Sequence, residues 1–223
     1  MNLLAENWIK KPRNISIIND TDGWSRKWCK KLKKDIILLG DNCELFYKYD
    51  DITKKGDIAF FLGCTRIASP KILSKHLLNV IVHASDLPKG RGFSPLKWQI
   101  IENKNKICIS LIQAHKLADA GKIYYKNYIQ FEGHELLDEM QNLLGKVCNK
   151  MCLEFLSENI LPVGKEQVGN PTFYKKRNIE DQRLDPKKTI QAQFNKLRIA
   201  DNKRFPAFFT MNGIDYEIKI KKK

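Results

Sequence analysis

The amino-acid sequence predicts an α/β fold, and three observations lead to that prediction. A β-branched run at residues 14–18 ends in a cluster of turn-forming residues at 19–23. From residue 24 to 39, apolar side chains recur at the helical period of 3.6 residues. Residues 56–63 contain a continuous apolar run, which is typical of a parallel strand buried on both faces. This alternation predicts a Rossmann-like, doubly wound, mostly parallel sheet with helices on both faces.

The other elements of the main domain follow from the same two periods. Short apolar or alternating runs predict strands, and apolar residues at every third or fourth position predict helices. Strands are expected at residues 41–49, 77–82, 107–113 and 123–131, and helices at residues 95–101 and 135–156. The last helix is long and amphipathic, so we expect it to close a main domain of residues 1–160 against the sheet.

The tail of the sequence predicts a small extension. Residues 161–186 are polar and contain Pro and Gly, which favours an extended connecting segment on the surface. A helical pattern follows at residues 189–199, and strands are expected at 207–211 and 216–220. The dipeptide Asn212-Gly213 between these strands is a strong hairpin signal. Residues 187–223 are therefore expected to form a subdomain of one helix and one β-hairpin.

Composition excludes several classes of protein. The chain has 223 residues, 43% of them hydrophobic, which is enough for an ordinary buried core and too much for a disordered tail. The net charge is +15, but by count 32 of the 40 basic residues are Lys and they are spread along the chain. We interpret this charge as a solvated face that steers an anionic small substrate, and we expect no nucleic-acid partner.

Cysteine usage and hydropathy indicate the compartment. None of the six cysteines forms a CxxC pair, and Cys148 and Cys152 share a helix face, where they are expected to pack rather than to bind metal. The N-terminus lacks the pattern of a signal peptide, and no apolar run approaches the ~18 residues of a membrane span. We therefore expect a cytoplasmic protein with reduced thiols, no metal and no membrane partner.

One histidine stands where chemistry is expected. His83 ends the apolar run of residues 79–82 and is followed by a loop rich in turn-forming and cationic residues. Ligands of open α/β sheets bind just beyond the carboxyl ends of the strands, so a side chain at this position faces a cleft. A purely structural histidine at a strand end is the alternative reading of this residue taken alone.

Three segments in register resemble one enzyme family. HASDLPKGRGFSPLKWQ, which begins at His83, resembles the His-x-Ser-x-Leu-Pro-x-x-x-Gly loop of folate-dependent formyltransferases. Residues 63–70, GCTRIASP, resemble the family's Arg-Ile-Leu-Ser loop, and residues 117–121, LADAG, resemble its Asp-x-Gly loop. Because the three matches keep their order and spacing across residues 57–125, together they are far more specific than any one alone.

The resemblance implies a fold, a reaction and a set of residues. It implies the formyltransferase fold, 10-formyltetrahydrofolate as the formyl donor and an amine as the acceptor. By this resemblance His83 transfers a proton or stabilises an oxyanion, a role that imidazole suits near neutral pH. Asp119 would orient the imidazole. The positions that match the folate-binding loops are Arg66, Ile67, Ala68 and Leu117.

The sequence departs from the family at one catalytic position. The family usually has Asn two residues before the catalytic His, and Ile81 occupies that position here. Asn79 lies four residues before His83 on the same strand face, so we include it as a candidate catalytic residue. Either a bulge brings Asn79 forward, or a backbone amide or the substrate loop takes the role and Asn79 is structural.

The acceptor is inferred from length and from the tail. Methionyl-tRNA formyltransferases add a C-terminal barrel, for which we expect no room after residue 160. The two acids before Trp24 would repel a phosphate, and an aromatic ring beside Ser25 suits the face of a sugar better. Trp24 is equally suited to anchor its helix in the core. Residues 173–181 and 197–209 resemble the C-terminal extension of bacterial nucleotide-sugar N-formyltransferases, closest to short members of nonulosonic (pseudaminic) acid pathways.

This branch implies a specific acceptor and leaves alternatives open. The expected acceptor is a UDP-linked 4-amino-4,6-dideoxy sugar, with Trp24 and Ser25 near the sugar. Lys89, Arg91 and the run at residues 175–177 would offer cations for the diphosphate. The alternatives are a formyltransferase for another small amine, such as glycinamide ribonucleotide, and a non-catalytic folate-binding relative. A monomer and a homodimer are both compatible with the tail hairpin.

Overall fold

A six-stranded sheet forms the centre of the protein in the computed structural model, which describes Trp8 and residues 11–223. Its strands are β1 (Asn14–Ile18), β2 (Asn42–Phe46), β3 (Gly56–Phe61), β4 (His76–His83), β6 (Lys106–Gln113) and β7 (Ile123–Gln130). The two-residue strand β5 (Arg91–Gly92) lies outside this sheet. The strand order across the sheet is β2-β1-β3-β4-β6-β7, so crossover connections place the first strand inside the sheet.

The sheet is mostly parallel, as predicted. β1 pairs in parallel with both β2 and β3, and β3 pairs in parallel with β4. β6 runs antiparallel to β4 and to β7, which makes the sheet mixed at one edge. The sequence pattern did not reveal this reversal, because a buried strand has the same apolar run in either direction.

The helices cover the two faces of the sheet unequally. They are α1 (Ser25–Leu38), α2 (Pro70–Leu73), α3 (Pro95–Ile101), α4 (Leu137–Ser157) and α5 (Ile190–Arg198). The two long helices, α1 and α4, pack on each other and on the face that holds the main core. They approach closely at Gly145, where a Cβ atom would lie 2.3 Å from the ring of Trp28. The opposite face holds a smaller core formed by Ile18, Tyr49, Ile52, Ala59, Phe61 and Ile72.

A buried ion pair ties the start of β1 to two other elements. The Nη2 atom of Arg13 lies 2.7 Å from Oδ2 of Asp41 in the turn before β2, and both side chains are almost fully buried. The same guanidinium donates to the carbonyl of Leu156 near the end of α4 and stacks over the ring of Trp8. Arg13 therefore joins the start of the first strand, the turn that leads into β2 and the closing helix.

The C-terminal part follows the predicted order of elements. Residues 161–186 are largely extended and include β8 (Phe173–Tyr174), which pairs in parallel with β5. After α5 come β9 (Ala207–Met211) and β10 (Ile214–Ile218), which form an antiparallel hairpin. Asn212 and Gly213 at its turn have φ angles of 51° and 79°, which confirms the tight turn predicted there. Leu184, Leu197, Ala200 and Ala207 form a small separate core.

The sequence predicts no membrane span, and the length and apolar character of the helices can be compared with that expectation. Within residue 8 and residues 11–223, no helix has both the length and the apolar character that crossing a bilayer requires.

We predict that Arg13→Met lowers the free energy of unfolding by about 3–5 kcal/mol, because it leaves the buried Asp41 carboxylate without its cation. Urea denaturation followed by circular dichroism measures this change. The control is Lys31→Met, which breaks the exposed pair with Asp35 on α1 and is expected to cost about 0.3–0.5 kcal/mol. Equal losses in the two variants would contradict the role given to Arg13.

Candidate active site

A cavity of about 800 Å³ opens beyond the carboxyl ends of β1, β3 and β4. Its walls come from the loop after β1, the loop after β3, the end of β4 and the segment that leads to the C-terminal hairpin. The accessible surface of these walls is mostly apolar, with charged groups confined to a few places. Open α/β sheets bind their ligands at this edge, so the cavity is the candidate active site.

His83 and Asp119 meet at the wall of this cavity. The Nδ1 atom of His83 lies 3.3 Å from Oδ1 of Asp119, and its Nε2 atom lies 2.8 Å from the carbonyl oxygen of Gly90. His83 is only 7% exposed, yet it lines the cavity. Since both ring nitrogens face oxygen acceptors, the arrangement suits the doubly protonated imidazolium, in which each nitrogen carries a hydrogen.

Asp119 is held in an uncommon backbone conformation in the loop between β6 and β7. Its φ angle of 50° is left-handed, which is unfavourable for a residue with a side chain. Its Oδ2 atom accepts a hydrogen bond of 2.8 Å from the backbone N–H of Gly92. Two residues later the loop touches β6, since a Cβ atom on Gly121 would lie 1.8 Å from the carbonyl oxygen of Gln113. The loop is therefore fitted closely to the sheet.

The loop after β3 is shaped by a buried carboxylate and a phenol. Asp20 accepts hydrogen bonds from the backbone N–H groups of Thr65 (2.7 Å) and Arg66 (3.1 Å). The hydroxyl of Tyr49 donates to the carbonyl of Arg66 at 2.7 Å, and the Arg66 guanidinium lies over the Tyr49 ring. Asp20 therefore stabilises the loop after β3. From the sequence alone, it is expected to repel a phosphate instead.

The same loop offers the groups that a pterin requires. Ile67 is 62% exposed, and it lines the cavity together with Ala68 and Phe61. In the described part of the chain, the backbone N–H and C=O groups of Ile67 and Ala68 form no hydrogen bond with protein. A flat ring bordered by donors and acceptors can bind such free backbone groups while its faces contact apolar side chains. The loop thus fits the pterin of a folate.

Four cations lie at another part of the cavity wall: Lys97 of α3, Lys176 and Arg177 of the connecting segment, and Arg204 before β9. Arg204 donates to the carbonyl of Asp22 at 3.1 Å, so the C-terminal part closes the cavity against the loop after β1. Burial, together with the positive charges of Arg177 and Arg204, lowers the pKa of Lys97 to about 8 against the attraction of Asp201. This wall is suited to bind an anionic group.

Nine of the residues expected from the sequence come together at the cavity. They are His83, Asp119, Arg66, Ile67, Ala68, Trp24, Ser25, Lys176 and Arg177. Trp24 also packs against the main core, so it combines the two roles that the sequence left open. Ser25 is buried, and its hydroxyl accepts a hydrogen bond of 2.9 Å from Asn19.

Asn79 does not line the cavity. Its side chain donates to the carbonyl of Leu73 at 2.8 Å, close to the end of α2. The register between β3 and β4 is constant, so no bulge moves Asn79 toward His83. Ile81 lines the cavity at the position where the family has Asn. The structure therefore places Asn79 in a packing role, and its catalytic role is unsupported by this geometry.

Three further expected residues also lie outside the cavity lining. Lys89 is exposed, and Leu117 is 60% exposed at the outer side of its loop. The guanidinium of Arg91 is bound to the side chain of Gln167, with Nη2 2.6 Å from Oε1. The resemblance suggested Leu117 for the folate and Lys89 and Arg91 for the diphosphate, but none of the three lines this cavity.

Several residues of the site escaped the sequence analysis. Lys97 lies within the motif that follows His83, and its place next to Pro95 at a helix start was a usable signal. Arg204 and Gln167 had no local signal, because only the path of the tail brings them to the site. The described residues contain no group of three or more His, Cys, Asp or Glu side chains arranged to hold a metal ion.

Comparison of sequences finds methionyl-tRNA formyltransferases, although no family model matches the chain. The enzyme of Mycoplasma capricolum is 27% identical over 181 residues, which are 78% of this chain and 56% of that protein. The enzyme of Enterococcus faecalis is 31% identical over 156 residues, which are 66% of this chain and 48% of that protein. The chain thus spans about half the length of the relatives that it matches.

Comparison of structures identifies the fold. A methionyl-tRNA formyltransferase from Clostridium thermocellum superposes with a TM-score of 0.78 and 23% identity over 95% of this chain and 93% of its own. A sugar N-formyltransferase from Shewanella gives 0.64 and 13% over 95% and 98%. HypX from Aquifex aeolicus in complex with tetrahydrofolic acid gives 0.71 and 14% over 94% and 38%. The chain therefore has the α/β formyltransferase fold, which confirms the predicted fold class.

We predict that Gly121→Ala lowers the free energy of unfolding by about 1–3 kcal/mol, because the new methyl group overlaps the carbonyl of Gln113. Thermal and urea unfolding measure the loss. Gly23→Ala is the matched control in another loop of the cavity, since the nearest atom to its new Cβ is Arg204 Nη2 at 3.7 Å. The control is expected to stay within about 0.5 kcal/mol of the native protein. A neutral Gly121→Ala variant would show that the loop has room to move.

Proposed function

We propose that the protein transfers a formyl group from 10-formyltetrahydrofolate to the amine of a nucleotide-linked amino sugar. The observation that carries this proposal is the His83–Asp119 pair in the wall of a cavity. The same cavity is lined by a loop with free backbone groups suited to a pterin and by a group of cations. The related methionyl-tRNA formyltransferases and the shared fold support the formyltransferase family and formyl transfer.

The formyl donor is expected to bind along the loop after β3. The backbone groups of Ile67 and Ala68 would bind the edge of the pterin, and Phe61 and Ile81 would contact its faces. Asp20 and Tyr49 keep the loop in shape from behind. The donor supplies a formyl carbon activated by its bond to the folate nitrogen, and this placement directs that carbon toward His83. The structural similarity to HypX from Aquifex aeolicus, which was solved in complex with tetrahydrofolic acid, supports a folate as the formyl donor.

His83 and Asp119 are placed to handle the charge that develops during transfer. When the amine attacks the formyl carbon, a C–N bond forms, the formyl oxygen becomes negative and the amine nitrogen becomes positive. The Nε2–H of His83 would exchange the carbonyl of Gly90 for that oxygen and stabilise it, a donor contribution typically of about 3 kcal/mol. Asp119 balances the imidazolium and receives the proton that leaves the amine. The C–N bond to the folate nitrogen then breaks as the C=O bond re-forms, and Asp119 passes its proton to that nitrogen.

The cations at the cavity favour an acceptor that carries phosphate. Lys97, Arg177 and Arg204 come from three different segments, and Nη1 of Arg177 is buried without a hydrogen-bond partner among the described residues. The acids nearby are already paired, since Asp22 contacts Arg26 and Asp201 accepts from Arg204. A diphosphate bound there would leave the sugar near Trp24 and its amine near His83. This favours a nucleotide-linked amino sugar, such as a UDP-linked 4-amino-4,6-dideoxy sugar of a pseudaminic acid pathway.

Methionyl-tRNA is the second candidate acceptor. Both relatives described above are methionyl-tRNA formyltransferases, and the net charge of +15 attracts a polyanion. The cavity favours the small acceptor, because the connecting segment and Arg204 close one side of it. The protein and the formyl donor are incubated separately with a UDP-amino sugar, with charged tRNA and with glycinamide ribonucleotide. The amine that becomes formylated identifies the acceptor. Folate binding without transfer to any amine would instead indicate the non-catalytic relative.

We predict that His83→Ala and Asp119→Ala each reduce kcat by at least about 100-fold, because each removes a group that handles the transferred charge. Release of tetrahydrofolate in the presence of a UDP-linked 4-amino-4,6-dideoxy sugar measures the rate. His134→Ala is the control, since His134 is exposed and bound to Lys222 away from the cavity. Full activity of either cavity variant would exclude the proposed chemistry.

We predict that the affinity for UDP-N-acetylglucosamine falls about 3- to 10-fold between pH 7 and pH 9, because Lys97 has a pKa of about 8 and loses its charge in this range. The diphosphate of this ligand does not titrate there, and comparison with Lys97→Met corrects for ionisation of the uracil ring. Calorimetry measures the affinity. Lys97→Met is expected to bind weakly at pH 7 and to lose most of the pH dependence, whereas Lys89→Met keeps both. An unchanged pH dependence in Lys97→Met would place the diphosphate elsewhere.

A further inference from the structure

Gln167 is the inward-facing residue of an otherwise exposed stretch of the connecting segment. Glu166 and Val168 on either side are exposed, the latter by 87%, whereas the side chain of Gln167 is half-buried. A hydrogen-bonded bridge anchors its backbone, since Lys165 and Ile123 exchange N–H···O bonds of 2.8 Å in both directions. The connecting segment therefore places the side-chain amide of Gln167 against the loop between β6 and β7.

The Gln167 amide contacts both sides of the loop that carries Asp119. Its Nε2 atom donates to the carbonyl oxygens of Asp119 at 2.7 Å and of Gly121 at 2.8 Å. Its Oε1 atom accepts from the guanidinium of Arg91, at 2.6 Å from Nη2 and 3.2 Å from Nε. The hydrogen-bonding capacity of the amide is thus used by groups that belong to two loops of the candidate active site.

These contacts complete a ring of interactions around Asp119. Arg91 is followed by Gly92, whose N–H donates to Oδ2 of Asp119. The strand β5 therefore binds the carboxylate of Asp119 through Gly92 and binds Gln167 through Arg91. Gln167 in turn binds the backbone of Asp119. Because the φ angle of Asp119 is left-handed, the loop needs such support to keep this conformation.

We propose that Gln167 is a positioning residue, which together with Arg91 holds Asp119 within reach of His83. This inference rests on the proposed formyl transfer for its effect on rate, and on the structure alone for its effect on the loop. It gives the connecting segment a part in the active site and gives Arg91 a role other than binding the diphosphate. Neither residue touches the reacting atoms, so their effect is transmitted through Asp119.

Replacing Gln167 by Glu tests the contribution of the amide N–H groups alone. Glu has the shape of Gln and still accepts from Arg91, but its carboxylate has no N–H for the carbonyls of Asp119 and Gly121. Gln167→Glu therefore removes the contacts to the Asp119 loop and keeps the contact to Arg91. Glu166→Gln, one residue away, is the matched control, because Glu166 is exposed and pairs only with the exposed Lys122 among the described residues.

The experiment has two readouts, and the first is independent of activity. Hydrogen exchange measured by mass spectrometry should show faster exchange in residues 114–122 of Gln167→Glu, and unchanged exchange in residues 56–62. The second readout is the rate of formyl transfer, for which we expect kcat to fall about 10- to 100-fold at an unchanged KM for the formyl donor, since small misplacements of a catalytic group have effects of this size. Glu166→Gln should match the native protein in both.

A double-variant cycle separates positioning from a general loss of structure. In Asp119→Ala, adding Gln167→Glu should lower kcat by less than about twofold, because the residue that Gln167 positions is already absent. Faster exchange with normal kcat, additive losses of rate, or unchanged exchange in the loop would each overturn the inference. If the native protein transfers no formyl group to any amine, the proposed function fails, and the exchange result still decides whether Gln167 holds the loop.

Discussion

The contact between His83 and Asp119 is the interaction on which the rest of the site depends, and it exists because the β6–β7 loop folds back over the sheet. β6 runs antiparallel to β4, and the chain leaves it at Ala114, which donates to the carbonyl of Asn79. The loop then returns across the face that carries Ile81 and His83. A regular sequence of parallel crossovers would not place Asp119 there, so the reversal of one strand is a requirement of the site.

Two walls of the cavity are supported by polar groups of neighbouring segments. Asp20 and Tyr49 shape the loop after β3, and Gln167 with Arg91 supports the loop between β6 and β7. These supports satisfy backbone N–H and C=O groups that would otherwise be left unpaired next to an apolar cavity. As a result, the free backbone groups at Ile67 and Ala68 remain available to ligands.

Much of the fold could be predicted from the sequence, and the site only in part. The apolar periods located the strands and helices to within a few residues, and α3 at Pro95–Ile101 agrees in both ends. The motifs pointed to His83 at the end of β4 and to the loops that carry Arg66 and Asp119. The motifs and the strand face also suggested Asn79, Lys89, Arg91 and Leu117, but these residues do not line the cavity, because the path of the chain decides where each side chain lies.

By itself, the sequence determined the alternation of strands and helices, the hairpin at Asn212-Gly213 and the formyltransferase motifs, because each depends on local periodicity or on backbone preferences of single residues. The tertiary structure decided the direction of β6, the role of Asp20, and the meeting of Lys97, Arg177 and Arg204 at one wall. It also brought Gln167 to Asp119 across 48 positions of the chain. The physical reason is that such contacts depend on the path of the whole chain, which no local pattern of residues encodes.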